Sequence, residues 1–326
     1  MPIVERQEHE RTITLGISAC LVGQKVRYNG DHKRSSMVLN ILDKFFHLRA
    51  VCPEVEIGMG VPREPIRLVG EPDQDYRVVG SDHPENDFTE QLLDFGHKTG
   101  EALDKDISGY ILMQRSPSCG MERVKIYHKN GHPLGASGPG MYARALMETC
   151  PLLPVEEEGR LHDSVLRDNF FTRVIAWHRW QQEMRDNSTY AGLVAYHSAY
   201  KYILMAHSPQ NYRKLGQMVS VGKKKPVEET ASEYIQLFMD TLKQRANRKS
   251  HTNVMLHLLG YMKKTLSDES RHTMLELIEQ YRIGQIPLVV PVTMLRHFLN
   301  IHGSQYVKDQ VYLQPHPEEL GLRNTI

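Results

Sequence analysis

Three of the four cysteines stand at or just after the ends of predicted β-strands, and this arrangement constrains the fold more than any other feature of the sequence. Cys20, Cys52 and Cys119 each come at the end of a short apolar run or in the turn that follows it. In a parallel sheet, the carboxyl ends of neighbouring strands lie along one edge, where open α/β folds bind ligands. We therefore expect thiols that are far apart in the chain to meet at one site.

Strand and helix signals alternate through the first half of the chain. The predicted strands are 12–19, 47–52, 107–114, 124–127 and 152–155, and the predicted helices are 32–46, 88–106 and 138–147. This alternation favours a Rossmann-like α/β domain with a parallel sheet and right-handed crossovers. The segment 52–65 is too rich in Pro and Gly for regular structure, and we interpret it as a functional loop.

The pattern changes after Arg160, where strand signals almost vanish and helical periodicity takes over. Because 326 residues are comfortable for two domains, we assign 1–158 to the α/β domain and 159–326 to an all-α helical domain. The predicted helices of the second domain are 162–183, 190–207, 209–219, 227–247, 252–264, 269–282 and 291–301.

The composition excludes several classes of protein. With 40 basic and 39 acidic residues, the whole chain has no bias towards nucleic acid or membranes. Residues 5–11 are charged where an export signal needs an apolar stretch, and no apolar run approaches the ~20 residues that span a bilayer. We expect a soluble cytoplasmic protein that makes no membrane contact and has no evident obligate protein partner. Four cysteines form no disulfide scaffold, and in a reducing compartment they more often bind metal or perform chemistry.

The three cysteines alone leave three interpretations open: metal ligands, a nucleophile with its helpers, or small buried hydrophobic residues. Structural zinc normally takes four ligands, often in Cys-x-x-Cys pairs, and the sequence has no such pair. An iron–sulfur cluster is usually held by four thiolates, so three would leave one iron open. Cys150 precedes Pro151, and we interpret it as a structural thiol.

Three sequence blocks carry a family resemblance. They are residues 18–30, Cys52-Pro53-Glu54 with Pro62-Arg63, and Ser116-Pro117-Ser118-Cys119-Gly120. Together they resemble the bacterial thiouracil and thiouridine desulfidase family over roughly residues 11–155. The helical remainder resembles the domain fused to this module in desulfidases that act on 4-thiouridine in tRNA, a domain also found beside photolyases.

This resemblance implies a [4Fe–4S] cluster bound by Cys20, Cys52 and Cys119, with the fourth iron free of protein ligands. It also implies catalytic roles that map to Glu54 and Ser116. The chemistry agrees, because thiocarbonyl sulfur is soft and a thiophilic iron polarises its bond to carbon. Replacing sulfur by oxygen then needs a base, which Glu54 can supply, and a proton relay, which Ser116 can supply. The expected reaction is a non-redox hydrolysis to uridine and hydrosulfide.

Basic residues near the proposed edge are candidates for substrate contacts. Arg27 and Lys33 lie in the loop after Cys20, although a solvated basic loop is an equally good interpretation. Arg63 and Ser118 belong to the same group of candidates, since they neighbour the catalytic blocks.

The second domain concentrates positive charge, with 12 basic against 4 acidic residues in 201–264. Lys and Arg neutralise phosphates, and aromatic rings such as those of Tyr200, Tyr202 and Tyr212 can stack on exposed bases. A solvated charged face is the alternative. The candidate RNA-binding residues are Lys223, Lys224, Lys225, Arg245, Arg248 and Lys249.

The leading hypothesis is therefore a desulfidase that removes sulfur from 4-thiouridine in tRNA. A first alternative keeps the enzyme and changes the substrate to free thiouracil or a thiouridine nucleotide. A second alternative is a non-catalytic iron–sulfur sensor that binds nucleic acid, and such a protein would not require Glu54.

Overall fold

The computed structural model describes residues 13–40, 42–71, 75–222, 225–317, 320–324 and 326. The chain divides into two compact units, residues 1–162 and 163–326. We describe each unit by itself, with strands and helices numbered in chain order.

The first unit contains a four-stranded sheet of parallel strands in the order β2-β1-β5-β8. The strands are β1 (Thr14–Ser18), β2 (His47–Val51), β5 (Gly109–Leu112) and β8 (Val155–Glu157). Gly16 of β1 lies opposite Tyr110 of β5, and a Cβ at Gly16 would approach the tyrosine ring to 2.3 Å. Glycine is therefore required there for the two central strands to pair. The expected parallel α/β domain is confirmed.

A second four-stranded sheet of mixed direction accompanies the first, in the order β4-β3-β6-β7. Its strands are β3 (Ile66–Val69), β4 (Arg77–Gly80), β6 (Val124–Tyr127) and β7 (Pro133–Gly138). β3 and β6 are parallel, and each pairs with its outer neighbour antiparallel. The strand predicted at 124–127 is confirmed, but it belongs to this sheet. The sequence did not predict β3, β4 or β7, because these short strands lie among Pro, Gly and charged residues that mask their alternation.

The helices of the first unit are α1 (Ser36–Asn40), α2 (Pro53–Glu56), α3 (Thr89–Leu103) and α4 (Met141–Thr149). The predicted helix at 32–46 is wrong in extent, because the described residues of this stretch form only α1 and a short 3₁₀ turn at Leu42–Lys44. α3 and α4 pack closely through small residues. A Cβ at Gly96 would lie 2.6 Å from the Cβ of Ala145, so the two helices approach where α3 has no side chain.

The second unit is all-α, and each of its seven predicted helices is present. They are α5 (Ser164–Glu183), α6 (Tyr190–His207), α7 (Pro209–Val221), α8 (Val227–Lys243), α9 (Arg248–Gly260), α10 (Asp268–Arg282) and α11 (Val289–His302), followed by the short α12 (Gln305–Lys308). α9 begins earlier than predicted because Asn247 and Ser250 form a reciprocal capping box. Trp180, Tyr196 and Phe238 belong to its buried aromatic core. In the described part of the chain, every helix is too short or too polar to cross a bilayer.

Candidate active site

The three cysteines follow three adjacent parallel strands and line one cavity of about 390 Å³. Cys52 follows β2, Cys20 follows β1, and Cys119 lies in the turn after β5. The strand order β2-β1-β5 is what brings these distant positions together. The same cavity is lined by Arg27, Lys33, Glu54, Arg63 and Ser116.

Backbone hydrogen bonds fix each cysteine locally. The carbonyl of Cys20 accepts from the N–H of Lys33 at 3.0 Å and from that of Gly23 at 3.3 Å. The carbonyl of Cys52 accepts the first hydrogen bonds of α2, from Val55 at 3.1 Å and Glu56 at 3.0 Å. Each thiol is thus presented by a turn that the following residues close.

The turn that carries Cys119 is the most tightly packed of the three. Its backbone is closed by the N–H of Gly120, which donates to the carbonyl of Ser116 at 2.8 Å. A Cβ at Gly120 would lie 2.3 Å from a methyl carbon of Val124, and one at Gly140 would lie 2.6 Å from the carbonyl of Ser118. Because Gly120 and Gly140 have no side chain, Val124 and the backbone of Gly140 can pack directly against this turn.

Burial sets the protonation of the thiols. It raises the pKa of Cys20 to about 11, with a smaller contribution from the nearby Cys52. Burial also raises the pKa of Cys52 and of Cys119. The thiols therefore hold their protons at neutral pH unless a cation compensates the buried charge. A metal centre supplies such compensation, because only thiolates bind it and binding releases their protons.

Glu54 is held from both sides of its carboxylate. Oε2 accepts from Arg63 through Nε at 2.9 Å and Nη2 at 2.5 Å, while Oε1 accepts from the hydroxyl of Ser118 at 2.5 Å. Arg63 also donates to the carbonyls of Gly60 and Val26, both at 2.8 Å. Its side chain is only 4% exposed, so this guanidinium is a fixed support for Glu54.

Ser116 and Ser118 extend this network. Their hydroxyl oxygens lie 2.9 Å apart, and Ser116 Oγ also accepts from the backbone N–H of Cys119 at 3.1 Å. Because Ser118 gives its one proton to Glu54, its oxygen is free to accept from Ser116. The result is a hydrogen-bonded series from Ser116 through Ser118 to Glu54.

The candidate substrate contacts fall into two groups. Arg27 and Lys33 line the cavity, with the Arg27 guanidinium 5.6 Å from the centre of the Tyr28 ring. Ser118 is fully buried, and Arg63 is committed to Glu54. The structure thus gives Arg63 and Ser118 a supporting role that sequence reasoning missed, because their contacts join positions 9 and 64 residues apart.

Within the described residues, no three His, Cys, Asp or Glu side chains are grouped to hold one metal ion. A multi-iron cluster makes a different demand, because its thiolates bind separate irons instead of meeting around one. Three soft donors on the wall of one cavity fit that demand. Cys150 is buried elsewhere, where its Sγ donates to the carbonyl of Gly100 at 3.4 Å.

Two family models match the chain. The model described as 2-thiouracil desulfurase matches residues 15–158. These include every residue that lines the cavity of Cys20, Cys52 and Cys119, which we call the thiol cavity. A family of unknown function, DUF1722, matches residues 201–317.

Two curated relatives and one solved structure are similar to this chain. YbgA of Escherichia coli (strain K12) is 30% identical over 159 residues, which cover 48% of this chain and 94% of YbgA. YbbK of Bacillus subtilis (strain 168) is 34% identical over 128 residues, which cover 37% of this chain and 83% of YbbK. The chain belongs to the 2-thiouracil desulfurase family. The solved structure is titled [4Fe-4S]-dependent thiouracil desulfidase TudS, with 30% identity, 48% of this chain and 97% of that chain covered, and a TM-score of 0.36.

The basic candidates in the second unit of this desulfurase-family chain differ in their surroundings. Lys223 and Lys224 lie outside the described residues. Lys225 pairs with Glu229 at 2.9 Å and with Glu233 at 3.1 Å. Arg245 and Lys249 are exposed. Arg248 donates a hydrogen bond to the carbonyl of Tyr281 at 2.8 Å.

Two of the three aromatic candidates are corrected by the structure, and the third, Tyr212, is half-buried. Tyr200 and Tyr202 are each 1% exposed, so their rings are part of the core and have no free face for a base. A different pair is exposed, Tyr261 at 47% and Tyr306 at 40%, with ring centres 6.2 Å apart. The amine of Lys201 lies 5.8 Å from the Tyr306 ring. The sequence did not reveal this pair, because its members lie on segments far apart in the chain.

Proposed function

We propose that this protein is an iron–sulfur desulfidase that removes sulfur from 4-thiouridine in tRNA, giving uridine and hydrosulfide by a non-redox hydrolysis. The observation that carries the proposal is the common cavity in which Cys20, Cys52 and Cys119 meet Glu54 and Ser116. A desulfurase-family chain needs a thiophilic centre beside a base, and this cavity offers ligands for one and a carboxylate for the other.

The three thiols would hold a [4Fe–4S] cluster. When bound, the cluster supplies a thiophilic Lewis acid that polarises the carbon–sulfur bond of the substrate. The chain's own contribution is to present three thiolates at one edge of the sheet, with Cys20 and Cys119 buried and Cys52 half-buried, which limits their contact with water. Cys150 takes no part, since it does not line the cavity.

Glu54 would act as the base that receives a proton from the attacking water. Arg63 restrains one oxygen of its carboxylate and Ser118 restrains the other, so the group is positioned before substrate arrives. Ser116 lines the cavity and is hydrogen bonded to Ser118, so it would pass a proton between Glu54 and the substrate ring. Donors and acceptors then stay connected through the proton transfer.

The second unit would supply affinity for RNA. Its exposed lysines and arginines neutralise backbone phosphates, and Tyr261 and Tyr306 offer exposed rings on which unpaired bases can stack. Replacing both tyrosines by leucine should weaken binding of tRNA by about thirtyfold or more, at about 1 kcal/mol or more for each lost stack. The control is Ile301→Leu, which places leucine at another exposed apolar position and should leave RNA binding unchanged.

The decisive experiment uses full-length protein prepared without oxygen. We expect it to contain iron and sulfide and to remove the thiocarbonyl absorbance of 4-thiouridine in tRNA. Glu54→Gln should abolish turnover while keeping the iron, whereas Glu56→Gln, an exposed carboxylate on the same short helix, should behave like the wild type. Activity on free thiouridine monophosphate alone would replace the RNA substrate by a nucleotide. Full turnover in Glu54→Gln would show that Glu54 is not the base, and RNA binding by the iron-loaded protein without any turnover would favour a sensor.

A further inference from the structure

A second cavity lies beside the thiol cavity in the first unit. Its volume is about 850 Å³, and its walls come from β3, β6 and the turn that follows β5. The two cavities have wall residues in common, namely Ile66, Gln114, Arg115 and Pro117. A molecule that fills the thiol cavity and extends past Arg115 therefore enters the second cavity directly.

The second cavity carries an excess of positive charge. Arg67, Arg115, Arg123 and Lys125 line it, against the two carboxylates of Glu122 and Glu157. Both carboxylates already face cations, since Arg123 lies 3.2 Å from Glu122 and 4.0 Å from Glu157, and Arg160 donates to Glu122 at 2.8 Å.

Three cationic side chains that line this cavity, those of Arg67, Arg115 and Lys125, are available to bind an anion. Over the described part of the chain, the side chains of Arg115 and Lys125 make no ion pair or hydrogen bond. Arg67 has its Nε buried without a hydrogen-bond partner. A buried N–H without an acceptor is costly, and an anion in the cavity would provide one.

The backbone gives an independent sign that this arrangement is functional. Arg115 and Arg123 are the two non-glycine residues with positive φ in the described chain, at 60° and 57°, and both line this cavity. A left-handed conformation costs a non-glycine residue roughly 1 kcal/mol or more, and such residues cluster at ligand-binding sites. The surrounding structure therefore holds both arginines at the cavity wall in spite of this cost.

We infer that this second cavity binds the phosphate of the nucleotide whose thiolated base occupies the thiol cavity. The inference rests on the proposed function. Guanidinium groups match phosphate through paired hydrogen bonds, and a base and its phosphate are joined by one ribose, as the two cavities are joined at Arg115. A nucleoside monophosphate and a backbone phosphodiester share this chemistry, so either can supply the group.

The test measures binding without relying on catalysis. Full-length protein prepared without oxygen is titrated with uridine and with uridine monophosphate, neither of which can be desulfurised. We expect the monophosphate to bind at least tenfold more tightly, and we expect Arg115→Gln and Lys125→Gln each to remove most of that advantage. Because Lys125 lines only the second cavity, Lys125→Gln should leave uridine binding unchanged. Lys98→Gln, an exposed lysine on α3 that lines neither cavity, is the matched control.

A second arm separates the two sources of phosphate. A trinucleotide with a central uridine and no terminal phosphate should lose affinity in Lys125→Gln if the site accepts a phosphodiester, and should be unaffected if it accepts only a monophosphate. Equal losses for uridine and its monophosphate would overturn the inference. So would a loss of the phosphate advantage in Lys33→Gln but not in Lys125→Gln, since Lys33 lines only the thiol cavity.

The outcomes distinguish this inference from the proposed function. If the protein desulfurises its substrate but Arg115→Gln and Lys125→Gln bind the monophosphate normally, the inference fails and the function stands. If the protein shows no desulfidation but the phosphate advantage disappears in those variants, the function fails and the phosphate site stands.

Discussion

The ion pair between Arg63 and Glu54 allows a quantitative test of how the active site is held together. In Arg63→Met, Glu54 loses both hydrogen bonds to Oε2, and the carbonyls of Gly60 and Val26 lose the hydrogen bonds that Arg63 donates. Removing one partner of a buried ion pair costs about 3–5 kcal/mol. Because the Glu54 side chain is 15% exposed, we expect the lower end, about 3 kcal/mol. For a unit of this size that corresponds to a fall in Tm of roughly 6–12 °C.

A double-mutant cycle isolates the contribution of the pair. When Glu54→Gln removes the carboxylate first, Arg63→Met loses mainly its two bonds to neutral carbonyls, each worth about 0.5–1.5 kcal/mol. At about 1 kcal/mol for each bond, the same substitution should then cost about 2 kcal/mol, which leaves a coupling of about 1 kcal/mol. An equal cost of Arg63→Met in both backgrounds would show that Arg63 does not act through Glu54.

The chain provides its own internal control for this assay. Both of its tryptophans, Trp177 and Trp180, lie in the second unit. Hydrogen exchange of peptides from β1 and β5 should report the loss of stability in the first unit, while the tryptophan fluorescence transition stays in place.

In the loaded enzyme, Arg63→Lys keeps the charge but loses the two-point contact, so we expect kcat to fall by about 10²-fold at unchanged iron content.

Three further predictions follow from other contacts. Cys150→Ser should leave the iron content unchanged, since this thiol does not line the cavity, whereas a serine at any of the three cavity cysteines should lower it. Gly120→Ala should cost about 1–3 kcal/mol and reduce iron loading, because its Cβ would lie 2.3 Å from Val124; thermal melts and iron analysis measure both. Burial and the charge of Arg323 lower the pKa of His251 to about 3 from its ordinary value of 6.5. Between these values only the unfolded chain binds the proton, so stability should fall by roughly 2 kcal/mol from pH 6.5 to 5 in urea titrations, and His251→Gln should flatten that slope.

The sequence predicted the features that depend on local pattern. The central strands β1 and β5 could be predicted from their apolar runs, and the seven helices of the second unit from their periodicity. The prediction of the last strand at 152–155 overlaps β8 only at Val155, because β8 continues through two glutamates. The meeting of three cysteines could be predicted because parallel topology fixes which strand ends share an edge.

The sequence could not predict features that depend on long-range contacts. The support of Glu54 by Ser118 and Arg63 requires a loop to fold back on a strand end, which no local pattern encodes. Three strands of the second sheet, β3, β4 and β7, were missed because each is only four to six residues long and lies among Pro, Gly and charged residues. Tyr200 and Tyr202 looked available for stacking in the sequence, and only the packing of the helices shows that they are buried.

The placement of the three thiols on three neighbouring strands has a consequence for how the enzyme is made. No single segment of the chain holds more than one of them, so no local peptide can capture a cluster before the central sheet has formed. For the proposed cofactor this sets an order of events during biogenesis: the chain must be synthesised beyond Cys119 and its strands aligned before iron and sulfide are inserted. A nascent chain released early would then accumulate as cofactor-free protein.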